Sequence, residues 1–379
     1  MKKIICVLLM GVFLGCSQID NLKLKVKDSK EIDYNVAIIN TAKGQGVLNQ
    51  GIGYSRVSTI IKRAEKKYGE ENVIYLDAGG NFSGSDLADQ TKGSSSVTVF
   101  NGIKLKATTL GKEDFKFGLD NLLKIKDRSN FKIITTNIKK KDGNLFLDPY
   151  LIEKVGDKKI GIIGLISPEF AKNLKESDNE KIEIEEPVAS ANLAIEVLKK
   201  QKVDFIVVLS SLGNNNKINN RWTSGGLAEE INGIDLIIES NWDGQDSFDV
   251  ENTVIVSSKE KLGSVGIVQL DLNANKKNKN RINYKTVELR DINVKTPFKS
   301  EEEYLVKKGD TLYSLARRNN VEVDELLRIN PKINDGKTIK IGEKYLIPSS
   351  KQNFDNKIKK DGLNIIEDEQ VKRIIEKIN

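Results

Sequence analysis

The residues that could do chemistry in this chain are limited by what the sequence omits. Its 379 residues include no histidine and only two cysteines, Cys6 and Cys16. Nucleophile systems that pair serine or cysteine with histidine are therefore excluded, as are zinc sites with histidine or cysteine ligands. Carboxylate pairs, as in glycoside hydrolysis, and oxygen-only Mg²⁺ or Ca²⁺ sites remain possible. The chain has 54 aspartate and glutamate residues, but no spacing among them assigns any one a role.

Length and composition indicate a protein with a sizeable core. The chain is 38% hydrophobic and 30% charged, and its length allows two or three domains. Its 61 basic residues exceed its acidic ones only slightly, which is typical of a solvated surface. Because no basic stripe interrupts this balance, we expect no nucleic-acid partner.

The N-terminus predicts export and a lipid anchor. Two lysines precede an apolar run over residues 4–14, which is shorter than the roughly 20 residues of a membrane-spanning helix. The run ends in Phe-Leu-Gly-Cys at residues 13–16, which resembles a bacterial lipobox. We therefore expect a signal peptide over residues 1–15, a lipidated Cys16 and a polar tether over residues 16–32. The alternative is an ordinary secretory signal in which the cysteine falls by chance.

The two cysteines also bear on the compartment. Cys6 would leave with the signal peptide and Cys16 would carry lipid, so the mature chain would have no thiol and no disulfide. Lipid chains act as an anchor rather than a span. We expect a protein of the cell envelope that faces the periplasm, with the inner leaflet of the outer membrane favoured over the inner membrane.

Residues 33–294 alternate between apolar, β-branched runs and segments of helical period. The runs are apolar on both faces, which is typical of strands in sheets covered by helices. They include residues 36–39, 73–76, 160–165 and 205–209. The pattern predicts a layered α/β domain.

Two segments of this domain carry a family resemblance. Residues 76–84, Leu-Asp-Ala-Gly-Gly-Asn-Phe-Ser-Gly, and residues 109–118, Thr-Leu-Gly-Lys-Glu-Asp-Phe-Lys-Phe-Gly, resemble the 5'-nucleotidase branch of the metallophosphoesterases. The resemblance covers roughly residues 34–292, without the family's C-terminal substrate-binding domain. It implies a four-layer α/β/β/α sandwich. It also implies two metal ions about 3.5–4 Å apart that clamp phosphate and activate water.

Most of the metal-ligand positions implied by this resemblance hold other residue types. The bridging aspartate of the family corresponds to Gly80, and Asn81 is the ligand type that remains. Lys43 would place a cation where the family holds cations, which opposes metal binding. We therefore expect no metal, no cofactor and no catalytic residue, and we expect that the chain is not an enzyme. The positions compared are Thr41, Lys43, Gly80, Asn81, Lys112, Glu113, Ser211, Asn241 and Asp243.

Residues 303–349 resemble a LysM domain from end to end. The segment begins Tyr-Leu-Val-Lys-Lys-Gly-Asp-Thr-Leu at residues 304–312 and ends Lys-Tyr-Leu-Ile-Pro at residues 344–348. Apolar residues at both ends predict strands, an Asp-Thr pair predicts a helix cap, and a second helix should end before Pro331. The sequence therefore predicts a small βααβ domain.

Short charged segments flank this module. Residues 295–302 have the composition of a linker, and residues 350–379 form a charged, partly helical tail. Exposed linkers of this kind are sites of proteolysis. Isoleucines within residues 365–378 recur at helical spacing, which favours a helix that docks on the large domain.

The LysM resemblance implies a groove for glycans that contain N-acetylglucosamine. The groove would lie between the loop after the first strand and the loop after the second helix. Asp310 and Thr311 can instead cap a helix, and Leu312 can instead belong to the core. In that alternative, backbone groups of the two loops would make the hydrogen bonds to the glycan. A lipid anchor would raise the effective concentration of a weakly binding module. The nominated residues are Gly309, Asp310, Thr311, Leu312, Asn330, Pro331, Lys332 and Ile333.

The sequence supports three functional hypotheses from different classes of protein. The favoured one is an envelope adaptor that resembles spirochaete LysM lipoproteins, which support envelope integrity and cell division. Its partners would be peptidoglycan, the membrane through the lipid anchor, and an envelope protein bound by the α/β domain. The alternative is a cell-wall or phosphate-ester hydrolase localised by the LysM domain. A weaker third hypothesis is a small-ligand carrier that uses the emptied cleft.

Overall fold

The computed structural model describes most of the chain beyond the predicted leader and tether. The described residues are 33–213, 219–240, 246–275, 278–292, 298–319, 323, 326, 327, 330, 333, 338–353 and 365–378. The predicted signal peptide, Cys16 and the tether lie outside them. No helix in the described part is both long and apolar enough to cross a membrane.

Two six-stranded sheets form the centre of the compact unit that starts at Tyr34. Strands are numbered in chain order. Four strands in the first sheet are parallel, and two antiparallel strands extend it on one side. Its spatial order is β14 (Ile282–Glu288), β13 (Ser264–Leu270), β1 (Val36–Thr41), β2 (Val73–Asp77), β3 (Ala107–Thr108) and β4 (Lys132–Ile133).

The second sheet has four parallel strands in its centre and one antiparallel strand at each edge. Its spatial order is β11 (Ser247–Val250), β12 (Thr253–Ser257), β10 (Leu236–Glu239), β9 (Phe205–Ser211), β7 (Lys158–Ile166) and β6 (Tyr150–Val155). A separate short pair joins β5 (Ile138–Lys140) to β8 (Ile182–Ile184).

Helices connect the parallel strands and cover both outer faces. The helices of this domain are α1 (Tyr54–Tyr68), α2 (Asp86–Gln90), α3 (Ser94–Gly102), α4 (Leu119–Arg128), α5 (Glu176–Asn179), α6 (Pro187–Lys200) and α7 (Ser224–Glu230). Strand alternation divides the apolar side chains between layers. In β1, Ala37 and Ile39 pack with α1, α3 and α4, whereas Val36 and Ile38 pack between the sheets. The predicted four-layer α/β/β/α fold is confirmed.

The C-terminal LysM-like module has its own small core. Strand β15 (Phe298–Leu305) pairs antiparallel with β16 (Lys344–Asn353), and α8 (Leu312–Arg318) packs on them through Leu315. The strands extend beyond the predicted domain, because residues assigned to the linker and the tail continue the same ladder. Most of the second predicted helix lies outside the described residues.

The last helix, α9 (Glu369–Ile378), packs against α1 and α3 of the α/β domain. Val371 and Ile375 are buried in the core that those helices share. The Asp368 carboxylate accepts a hydrogen bond from Ser58 Oγ at 2.7 Å and lies 2.5 Å from the Lys62 ammonium. Residues 365–378 therefore pack on the α/β domain.

Candidate functional site

The family-like residues of the α/β domain converge at the carboxyl ends of its parallel strands. Thr41, Asp77 and Ser211 end β1, β2 and β9 respectively. The crevice beyond these ends is where ligands bind in open α/β sheets. The two sheets meet here, because Ser211 Oγ donates to the carbonyl oxygen of Ala78 at 3.0 Å and lies 2.7 Å from Ser240 Oγ.

Asp77 is fully buried at the centre of a hydrogen-bond network. Its carboxylate accepts from Thr41 Oγ1 at 2.6 Å and from Thr108 Oγ1 at 3.0 Å. It also accepts from the backbone of Gly79 at 2.7 Å and from Asn81 Nδ2 at 2.5 Å. Burial raises the pKa of Asp77 to about 6, and these hydrogen bonds, that from Thr41 the largest, oppose the rise. The network fixes the ends of β1, β2 and β3 relative to one another.

Asp114 fastens the two family-like loops together. Its carboxylate accepts from four backbone N–H groups at 2.7–2.8 Å, and burial raises its pKa to about 6. The loops approach so closely that a Cβ atom at Gly111 would lie 2.7 Å from the Cα atom of Gly80. The four donors are the backbone nitrogens of Gly80, Asn81, Phe82 and Gly111.

Lys43 and Glu113 both lie close to Gly80. A Cβ atom at Gly80 would lie 3.5 Å from Lys43 Cγ and 3.6 Å from Glu113 Oε2. The Lys43 ammonium lies 3.1 Å from Glu260 Oε2, and its side chain is 26% exposed. Lys112 begins the 3₁₀ turn that carries Glu113, and its side chain is exposed.

Asn81 uses both ends of its amide within the protein. Its Nδ2 donates to Asp77, and its Oδ1 accepts from the backbone N–H of Gly44 at 3.0 Å. The oxygen that could have been a metal ligand is therefore already hydrogen bonded. The side chain links the loop after β1 to the loop after β2.

This donor set does not fit a two-metal centre of the kind the family resemblance implies. Such a centre needs several ligand atoms turned towards the ions. Among the described residues, Thr41, Asp77, Asn81 and Ser211 turn their oxygens to other protein groups, and Lys43 adds an ammonium. Two further sequence-predicted positions, Asn241 and Asp243, lie outside the described residues.

A second buried carboxylate, Glu239, lies at the end of β10. Its Oε2 accepts hydrogen bonds from Ser210 Oγ, at 2.7 Å, and from Ser224 Oγ. Because Ser224 begins α7, this cluster ties the ends of β9 and β10 to that helix. Sequence reasoning missed Asp77, Asp114 and Glu239. Asp77 and Asp114 had a usable signal, since both lie within the two family-like segments.

In the LysM-like module, Asp310 and Thr311, two of the residues nominated for glycan binding, make hydrogen bonds within the module itself. Asp310 accepts from Tyr304 Oη and from the backbone of Lys307, each at 2.8 Å, and pairs with Arg318. The Lys307 N–H is the main cause that lowers the pKa of Asp310. Thr311 caps α8 by accepting from the backbone of Ser314 at 3.0 Å.

Asn330 fastens the end of the second helical segment to β16. Its Nδ2 donates to the carbonyl oxygens of Leu326 and Leu346, and its Oδ1 accepts from the Leu346 N–H at 2.7 Å. Leu312 and Ile333 are buried in the core. Gly309 has a φ of +93° and open space where a side chain would lie. The other two nominated residues, Pro331 and Lys332, lie outside the described part of the chain.

Comparison with known proteins found similarities for both domains. A family model described as LysM domain matches residues 304–348. In the α/β domain, the chain is 27% identical over 189 residues to the NAD 5'-nucleotidase of Haemophilus influenzae. It is 32% identical over 182 residues to the apyrase of Aedes albopictus. These matches cover 49% and 45% of this chain but only 30% of either relative.

A solved structure shows the same fold. The crystal structure of the calcineurin-like phosphoesterase YfkN from Bacillus subtilis superposes with a TM-score of 0.55 at 20% identity. The superposition covers 67% of this chain and 90% of that one. The chain therefore combines a calcineurin-like phosphoesterase fold with a C-terminal LysM domain.

These comparisons overturn the prediction that the chain is not an enzyme. The proteins that the α/β domain resembles are named nucleotide phosphoesterases and nucleotidases, which points to an enzyme. The prediction was wrong because it took the loss of one set of ligand types as the loss of all chemistry. A changed donor set bears on how two metal ions could be held. It leaves other chemistry in the same crevice open.

Proposed function

We propose that this protein is held on peptidoglycan by its LysM domain and presents its phosphoesterase-like domain in the cell envelope. The LysM match over residues 304–348, with a separate core around Leu315, carries the proposal. Gly309 and the Thr311 cap lie on the loop that leads from β15 into α8, where backbone groups can hydrogen bond a glycan.

The N-terminal pattern supports a lipid anchor as part of this proposal. The lipobox-like residues 13–16 follow a short apolar run, so Cys16 would be acylated and the protein would face the periplasm from the outer membrane. A chain fixed to lipid at one end and glycan at the other would support envelope integrity and cell division. The α/β domain would also offer a surface for an envelope protein partner, as in spirochaete-type LysM lipoproteins.

A second candidate function concerns the α/β domain, which we propose acts on phosphate esters. The names of its relatives supply the substrate class. At the strand ends, Lys43 and Glu113 both lie close to the position that a Cβ atom at Gly80 would occupy. An ammonium can hold a phosphate oxygen as a point charge, and a carboxylate can accept a proton from an attacking water.

Phosphate release by the full chain tests this candidate. Mononucleotides and nucleotide diesters would be supplied with and without a chelator. Glu113→Gln should lower kcat by about 100-fold or more, because it removes the general base. The matched control, Glu229→Gln, changes an exposed glutamate of α7. Failure of every ester to react, or equal rates in both variants, would contradict the assignment.

A further inference from the structure

The loops at the strand ends are tied to one another by direct contacts in this chain. We propose that hydrogen bonds and the Lys43 ammonium take the place of metal ions as the ties between these loops. The α/β domain then folds, with these loops in place, without any divalent cation. This inference is independent of whether the crevice hydrolyses phosphate esters.

The first tie joins β1 to β2. Thr41 stands where the resemblance implies an aspartate ligand, yet its hydroxyl donates to Asp77 at 2.6 Å with both side chains buried. Asn81 adds a contact from the loop after β2 to Gly44 in the loop after β1. The family resemblance implies metal ligands at positions 41 and 80, on these same two loops, where this chain has Thr41 and Gly80.

The second tie joins the loops after β2 and β3. The Asp114 carboxylate gathers three consecutive N–H groups, at residues 80–82, and adds that of Gly111. Such an anion-binding arrangement of backbone donors positions a loop without any ion. It also accounts for Gly80, since the backbone there has a φ of +79° and lies against Gly111.

The third tie crosses between the sheets. Ser211 occupies a position where the resemblance implies a histidine ligand. Its hydroxyl reaches the carbonyl oxygen of Ala78 on the other sheet and also contacts Ser240. A direct hydrogen bond of 3.0 Å therefore joins the end of β9 to the loop after β2.

Lys43 supplies the positive charge. Its ammonium pairs with Glu260 in the connection that leads to β13, and its backbone oxygen accepts from the N–H of Lys261 at 3.0 Å. A divalent ion placed beside this ammonium would be repelled. The Lys43 ammonium thus ties the loop after β1 to the connection that precedes β13.

Thermal unfolding of the full chain tests the proposal without any assay of activity. A ligand that binds the folded state raises its unfolding midpoint. Dialysis against a chelator, or addition of millimolar Mn²⁺, Zn²⁺ or Mg²⁺, should move the midpoint by less than about 1 °C. Elemental analysis should find no stoichiometric metal. A rise of several degrees, or a bound metal in near-equal molar amount, would overturn the proposal.

A matched pair of variants tests the ties themselves. Thr41→Val keeps the side-chain shape but removes the donor to buried Asp77, and it should lower the midpoint by about 4 °C or more, with or without metal. Thr98→Val removes an exposed hydroxyl that bonds only to the Ser94 carbonyl of its own helix, and should change it by about 1 °C at most. Equal shifts in the two variants would show that the Thr41 contact is not a tie.

Discussion

The two domains keep their family patterns in different ways. In the α/β domain, the glycines and buried strands match the pattern, while ligand positions such as Thr41 and Lys43 carry other side chains. In the LysM domain, the side chains nominated for the glycan groove make hydrogen bonds that hold the fold together. These residues are Asp310, Thr311 and Asn330. A site made of side chains can change while its framework persists, whereas the loop backbone groups proposed to bind a glycan are positioned by the fold itself. Sequence similarity is therefore stronger evidence for the LysM function than for two-metal chemistry.

The largest expected effect concerns the framework of the α/β domain. Asp114→Ala would leave four buried backbone N–H groups without an acceptor. It should therefore lower the free energy of unfolding by about 4 kcal/mol. Denaturant unfolding measures this loss. Asp120→Ala removes an exposed carboxylate of α4 and should change stability by less than about 0.5 kcal/mol. A comparably small loss for Asp114→Ala would mean that the two loops do not depend on this carboxylate.

A smaller effect is expected from replacing Asn330, whose side chain joins two segments of the LysM domain by hydrogen bonds. Asn330→Ala should cost that domain about 2 kcal/mol, because the Leu346 N–H and two carbonyl groups lose their partner. Proteolysis of the full chain should then cut first within the LysM domain and leave the α/β domain intact. Lys308→Ala, at an exposed position, serves as the control. An unchanged cleavage pattern for Asn330→Ala would remove the structural role assigned to Asn330.

The response to pH should have opposite signs in the two domains. Burial raises the folded-state pKa of Asp77 and Asp114 to about 6. Protonation of these two carboxylates therefore favours the folded state. This contribution to stability is fully present below the pKa of the unfolded chain and is lost as pH rises through about 6. Acidification from neutral pH to about 5 should then stabilise the α/β domain by about 1 kcal/mol for each group.

The lowered pKa of Asp310 acts in the opposite direction. Its contribution is present above the unfolded pKa and is lost only as pH falls through the lower folded value. Unfolding of the full chain, followed separately for each domain from neutral pH down to about 3, distinguishes the two. Stability of the α/β domain that falls on mild acidification in the wild type, but not in Asp77→Asn, would reverse the sign assigned to Asp77.

Much of the fold could be predicted because local patterns encode it. Runs such as residues 205–209 are apolar on both faces, and the structure places them between the second helical layer and the other sheet. The site could not be predicted to the same depth. Ser211 reaches Ala78 across 133 residues of chain, and no local pattern marks such a pair. The extension of β15 was also missed, because its charged residues resemble a linker.

Binding to peptidoglycan tests the central claim most directly. The full chain should co-sediment with purified peptidoglycan, and soluble N-acetylglucosamine oligomers should compete. Leu315→Asp, which places a charge in the LysM core, should abolish sedimentation, while the unfolding transition of the α/β domain stays unchanged. Wild-type protein that stays in the supernatant, or Leu315→Asp protein that sediments like wild type, would contradict the assignment of glycan binding to the LysM domain.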